Sequence, residues 1–63
     1  MHRSRRELFH PNPVKRLAAL GYLGAQDGPD SVTLLTEYVR WEKEPILRRR
    51  AERLLKRMRG RLV

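Results

Sequence analysis

The chain predicts an all-α fold of three main helices, packed as a short helical hairpin stack or small bundle. Three observations carry this. Leu47, Ala51, Leu54, Leu55, Met58 and Leu62 recur at helical spacing and fall within about 100° of one another around a helix. No segment alternates apolar and polar residues with the period of two that a strand requires. Prolines stand where helices begin, at Pro13 behind Asn12 and at Pro45 behind Glu44, positions that suit a residue with a pre-set φ and no N–H to leave unpaired.

Each element follows in order. Ser4 and Glu7 have the spacing of a capping box ahead of Leu8 and Phe9, which allows a short extra N-terminal helix that Pro11 and Pro13 would close. Asn12 and Pro13 open the first main helix, expected over residues 13–23 and ended by Gly24. Val14, Leu17, Ala18 and Gly21 form one apolar stripe on it, and Leu20 and Leu23 fall outside that stripe, so the helix is apolar on two sides. Gly21 inside a helix costs about 1 kcal/mol relative to Ala, which suggests another backbone passing close by.

The stretch AQDGPDS is a turn by composition, with Asp30 or Ser31 as cap of a second helix over 31–41. That helix has Val32, Leu35 and Val39 on one edge and Leu34, Tyr38 and Trp41 on the other. Residues 42–45 break the pattern, and the third helix is expected over 46–59, with Gly60 fraying its end. The organisation is one domain over 1–63: a basic N-terminal segment (1–12), a helical core (13–59) and a C-terminal tail (60–63).

At 63 residues without cysteine, a single apolar core sits near the lower limit of self-sufficiency, and tight helix packing or self-association must make up the difference. The net charge of +8 is uneven: residues 1–16 sum to +4, 17–45 to −3 and 46–63 to +7. Twelve of the fifteen basic residues are arginine, whose planar fork suits phosphate or carboxylate. The third helix carries most of them. Arg48, Arg49, Arg50, Arg53, Lys56, Arg57, Arg59 and Arg61 are the candidate polyanion-binding residues, set against a single acid, Glu52. Any amphipathic helix needs a polar outside, but nothing requires that outside to have one sign, and like charges one turn apart repel.

The segments LGYLG (20–24), DSVTLLTEYV (30–39) and EPILRRRAERLL (44–55) together resemble HEAT repeats of the phycobilisome-lyase-like type. In that family a first helix ends in Leu-Gly-x-Leu-Gly, a short Asp/Pro turn follows, and the second helix opens with Ala-Val. The next repeat begins Pro-x-Val-Arg-x-x-x-Ala-x-x-x-Leu, and here Leu47, Arg48, Ala51 and Leu55 occupy that pattern with Leu for Val. The resemblance spans residues 12–58, with a first helix about two residues short and one extra residue near 41–44. It implies a HEAT-like scaffold for protein contacts, a family in which some members bind nucleic acid through basic concave faces. Solenoids need about three repeats to bury a continuous core, so a chain of this length implies a bundle or a homo-oligomer.

These readings set the expected function. A non-enzymatic binding module is expected, working by protein contacts and self-association, with Leu20, Leu34, Tyr38 and Trp41 as candidate interface residues. Trp41 could equally close the core at a helix end. The alternative is sequence-independent DNA or RNA binding, directed at phosphates. Residues 31–41 are too nearly neutral for a major-groove reader, and four aromatic residues are too few for a stacking platform. Should the C-terminal run not carry such binding, Arg3, Arg5, Arg6, Lys15 and Arg16 are the other basic set.

Catalysis is not expected. His2 and His10 are the only imidazoles, and no paired carboxylates or activated nucleophile stand at useful spacing. No Cys/His cluster has zinc spacing and no glycine pattern matches a phosphate loop, so no metal or cofactor is expected. The longest near-apolar stretch, residues 17–25, is too short to span a bilayer, and MHRSRRELF lacks the apolar run of a secretory signal. Membrane insertion is therefore not expected, and the expected location is cytoplasmic.

Overall fold

In the computed structural model, which describes the backbone of residues 2–26 and 29–62 and the side chains of 5–26 and 29–60, every regular element is a helix. These are α1 (His2–Leu8), α2 (Pro13–Ala25), α3 (Pro29–Trp41) and α4 (Pro45–Leu62). They form a small helical bundle in which α1 lies on α2, α3 lies on α4, and α2 crosses α4. The three main helices and the short N-terminal one are those expected from the sequence, with differences at their ends.

α1 begins at His2, so Ser4 lies inside the helix and does not cap it. Packing rather than capping holds it. Leu8 is fully buried, and Phe9, just beyond the helix, meets Tyr38 and Trp41 edge-on at centroid distances of 5.9 and 5.0 Å. The basic N-terminal segment is therefore part of the core and not an appendage to it.

Asn12 caps α2 as its sequence implies: its Oδ1 accepts the Val14 N–H at 2.9 Å. The helix runs past Gly24 to Ala25, where the Gln26 N–H bonds to the Leu23 carbonyl at 3.1 Å. Gly24 does not adopt the left-handed conformation that would end a helix. It serves the crossing instead. A Cβ there would sit 3.1 Å from Leu54 Cδ1, so the missing side chain lets α4 come close. At Gly21, where close approach was expected, a Cβ would meet nothing within 4 Å.

The buried face of α2 is Arg16, Ala19, Leu20 and Leu23, at offsets 0, 3, 4 and 7. The stripe Val14, Leu17, Ala18 and Gly21 faces outward, with Val14 71% exposed. Both stripes are apolar enough to be buried. The one chosen keeps the larger pair, Leu20 and Leu23, and brings Arg16 inside.

α3 starts at Pro29, which places Asp30 and Ser31 in its first turn rather than at its cap. Thr33 and Thr36 donate their hydroxyls to the carbonyls of Pro29 and Val32, four residues back, which satisfies them within the helix. Pro45 opens α4, and the Arg48 N–H bonds to the Glu44 carbonyl at 2.9 Å. Leu47, Ala51, Leu54, Leu55 and Met58 are all buried, as their periodicity requires. The side chain of Leu62 lies outside the described residues. Gly60 does not end the helix, which continues to Leu62 and takes in most of the supposed tail.

The contact that ties these elements together is polar. Arg16 Nε donates to Glu42 Oε2 at 2.6 Å and Nη2 to Oε1 at 3.3 Å. Nη1 donates to the carbonyls of His10 and Pro11 at 2.8 and 2.9 Å. The Glu42 carboxylate also accepts the Tyr38 hydroxyl and the N–H groups of Lys43 and Glu44. One buried ion pair thus holds the α1–α2 loop, the first turn of α2, the end of α3 and the α3–α4 connection. Among the described residues no buried side-chain polar atom lacks a partner. Arg16 also lies over the Trp41 ring, 5.4 Å from its centroid.

Burial alone would raise the Glu42 carboxyl. The hydrogen bonds from Tyr38, the Glu44 amide and Arg16, with the charge of Arg16, outweigh it and hold the carboxyl below its ordinary value of 4.5. Burial also pushes the Tyr38 phenol up, and the adjacent carboxylate pushes it further, so Tyr38 stays a neutral donor.

Two outcomes are expected. Removing one member of a buried pair costs about 3 to 5 kcal/mol, and a domain of this length has a total stability of only about 3 to 9 kcal/mol. Glu42→Ala should therefore leave the chain largely unfolded at 25 °C by circular dichroism, whereas Glu52→Ala on the exposed face of α4 should change stability by less than about 0.5 kcal/mol. Because the folded carboxyl is the depressed one, its contribution is complete above about pH 4.5 and is lost as pH falls through the lower folded value. Urea titrations between pH 6 and pH 2 should show that decline. A stability that rises on acidification would contradict the assignment.

Candidate functional site

The exposed side of α4 is where sequence and fold meet most plainly. Arg48, Arg49, Arg50, Arg53, Lys56, Arg57 and Arg59 are all exposed, while the side chain of Arg61 lies outside the described residues. Leu47, Ala51, Leu54, Leu55 and Met58 point into the bundle, and at about 100° per residue the basic side chains form one continuous arc of about 200° around the opposite side, one part of which borders α2.

In that part, Arg49, Arg50, Arg53 and Arg57 line a groove of about 600 Å³ between the two helices. Its α2 wall is Leu20, Gly21 and Gly24, its floor includes Leu54, and Ile46 stands at one end, 77% exposed. The glycines keep that wall low, because neither carries a side chain to fill the space. Among the described residues no carboxylate lines the groove. The ion pairs among the described residues are Arg5–Glu37, Arg16–Glu42 and Arg48–Glu52, and none of them involves a groove arginine.

The rest of the arc is Arg48, Lys56 and Arg59. Arg48 reaches Glu52 at 3.8 Å, the long and exposed geometry of a weak pair.

The candidate interface residues are dispersed by the fold. Leu20 and Tyr38 are core side chains and Leu34 packs partly buried against that core, so none of the three offers a partner more than an edge. Trp41 closes the core against Phe9 and is 43% exposed. The apolar surface that does face outward is one of the two apolar sides read from the sequence of this helix, Val14, Leu17, Ala18 and Gly21 on α2, and Tyr22 and Ile46 are exposed as well.

The second basic set is reduced as well. Arg16 is buried, Arg5 is bonded to Glu37 at 2.9 Å, and Arg3 lies outside the residues with described side chains, which leaves Arg6 and Lys15. The shallow hollow lined by Arg5, Arg6, Phe9 and Glu37 is bridged by that Arg5–Glu37 bond. His10 is a turn residue: its Nδ1 accepts the Asn12 N–H at 3.0 Å and its carbonyl accepts from Arg16. His2 and Asp27 lie outside the residues with described side chains.

Arg16 and Glu42 are the residues that sequence reasoning missed. The signal was present in the spacing, since Arg16 stands in line with Ala19, Leu20 and Leu23 at the offsets of a buried stripe. The pair is a closed structural cluster. Each of its polar atoms is already engaged within the chain, which leaves no position for a substrate.

Comparison with protein-family models, with characterised proteins and with solved structures finds no match to this chain. Among the described residues, no helix is long and apolar enough to cross a membrane.

The empty space at Gly21 has a measurable consequence. Gly21→Ala meets no neighbour, so it should stabilise the chain by about 1 kcal/mol through helix propensity alone. In a domain of this size that is about 4 to 8 °C in Tm. Gly24→Ala must displace a Leu54 methyl and should give distinctly less. Equal gains at the two positions would mean that α2 and α4 do not cross as described.

Proposed function

We propose that this chain is a non-enzymatic helical binding module that works through protein contacts, including contacts with copies of itself. The observation that carries the reading is the outward apolar stripe of α2, from Val14 through Leu17 and Ala18 to Gly21. A 63-residue domain that leaves such a stripe in water gives up apolar burial it can ill spare, and a partner would recover it. The HEAT-like segments support a scaffold role by resemblance of sequence. In the repeat hairpin α2 would pack on α3, whereas here the close pairs are α1 with α2 and α3 with α4, so that support comes from the motifs and not from the packing.

A second reading, sequence-independent binding of DNA or RNA, is favoured by the seven exposed basic side chains of α4 against one acid. Such binding would act on phosphates, with affinity falling steeply with salt.

Two measurements separate the readings. Sedimentation across a range of concentrations should show self-association, and Val14→Asp with Leu17→Asp should abolish it without loss of helicity. A strict monomer removes the self-association part. Titration of labelled duplex DNA and structured RNA at two salt concentrations tests the alternative, with charge reversal at Arg48, Lys56 and Arg59 against charge reversal at Arg49, Arg53 and Arg57. No binding below about 100 μM at low salt removes nucleic acid from consideration.

A further inference from the structure

Beyond the general reading as a protein-contact module, on which this inference rests, we infer that the groove between α2 and α4 is a docking site for an acidic amphipathic helix of a partner protein. The groove carries two kinds of surface side by side. One wall is a row of arginines, Arg49, Arg53 and Arg57, spaced four residues apart so that they stand one above another along α4. The other, on α2, is low and uncharged, formed by Leu20, Gly21 and Gly24, and the exposed Ile46 projects from α4 at the head of the arginine row.

The dimensions suit a helix. From Ile46 to Arg57 is a rise of about 16 Å, or three turns. An occupant of that length lays its apolar face over Ile46, Leu54 and the low α2 wall and sets carboxylates along one flank against the arginines, the mode in which grooves between helices take amphipathic partners. Arginine favours this pairing, because its planar fork meets a carboxylate with two parallel bonds and sheds water more readily than an ammonium.

The arrangement also selects against the other polyanion. A nucleic-acid backbone would satisfy the arginines and leave Ile46 and the α2 wall without an apolar counterpart, whereas an acidic helix covers both. No carboxylate among the described residues already neutralises the row. Its members therefore repel one another in the free chain, and an acidic partner relieves that repulsion on binding.

The test is fluorescence anisotropy with a labelled helical peptide of about sixteen residues, leucines at i, i+4, i+7 and i+11 and glutamates along one flank. The controls are the same composition with the leucines scattered around the helix, and a duplex DNA of matched charge. Two variants probe the charged and the apolar contacts: Arg53→Glu with Arg57→Glu, and Ile46→Ser. All three positions are exposed, and circular dichroism confirms that the variants fold. The expected result is saturable binding of the amphipathic peptide, at least tenfold weaker for the scattered peptide and for each variant, with Ile46→Ser leaving any DNA binding unchanged.

Equal binding of the two peptides, or indifference to Ile46→Ser, overturns the inference, because attraction of charge alone would then explain the data. Tighter binding of DNA through Arg53 and Arg57 overturns it in favour of phosphate. Sedimentation of the same samples keeps the broader reading separate: a chain that self-associates but ignores the peptide remains a protein-contact module without this docking site, and a strict monomer that ignores the peptide loses both.

Discussion

The bundle depends on one buried ion pair. Arg16 and Glu42 are 26 residues apart and come from opposite halves of the chain, yet each is almost fully buried, and between them they accept or donate every bond their charges require. Desolvation offsets most of the attraction in such a pair, so its net effect on stability is small. Its effect on geometry is large. With Arg16 committed to Glu42 and to the carbonyls of His10 and Pro11, the rotation of α2 about its own axis has one solution, and Leu20 and Leu23 turn inward with it.

The outward surface follows from that rotation. Turning Leu20 and Leu23 in turns Val14, Leu17 and Gly21 out, and Gly21 with Gly24 becomes the low wall that faces the arginines of α4. Gly24 completes the arrangement. Without a side chain it lets Leu54 lie against α2, which sets the two helices close enough to form a groove and not an open cleft. A polar cluster inside the bundle and a recognition surface outside it are thus two consequences of a single choice of face.

The charge of the chain has a matching division of labour. Buried charge is neutralised within the bundle, in the Arg16–Glu42 pair, while most of the net +8 stands on the outer arc of α4. The arginine row toward α2 lines the groove, and the rest of the arc, which includes the weak Arg48–Glu52 pair, lies away from it. Mutual repulsion within the arginine row disfavours the free helix by a few tenths of a kcal/mol for each close pair. α4 tolerates this because its opposite side buries five apolar residues.

Much of this was legible in the sequence. The helical class, the Asn12 cap, the proline at the head of α4 and the whole buried side of α4 follow from local rules, because each depends on residues within a few positions of one another. The exposed basic residues of α4 were legible for the same reason: once its apolar stripe is drawn, the rest must face out. What the sequence left open was α2. Its two apolar stripes are nearly equivalent by composition, and a helix that is apolar on two sides does not say which side meets the core. That was decided by Glu42, a residue at the end of another helix, through an ion pair whose members are too far apart in the chain for any local pattern to join. The close approach assigned to Gly21 belongs for the same reason to Gly24, since only the rotation of α2 determines which glycine faces α4.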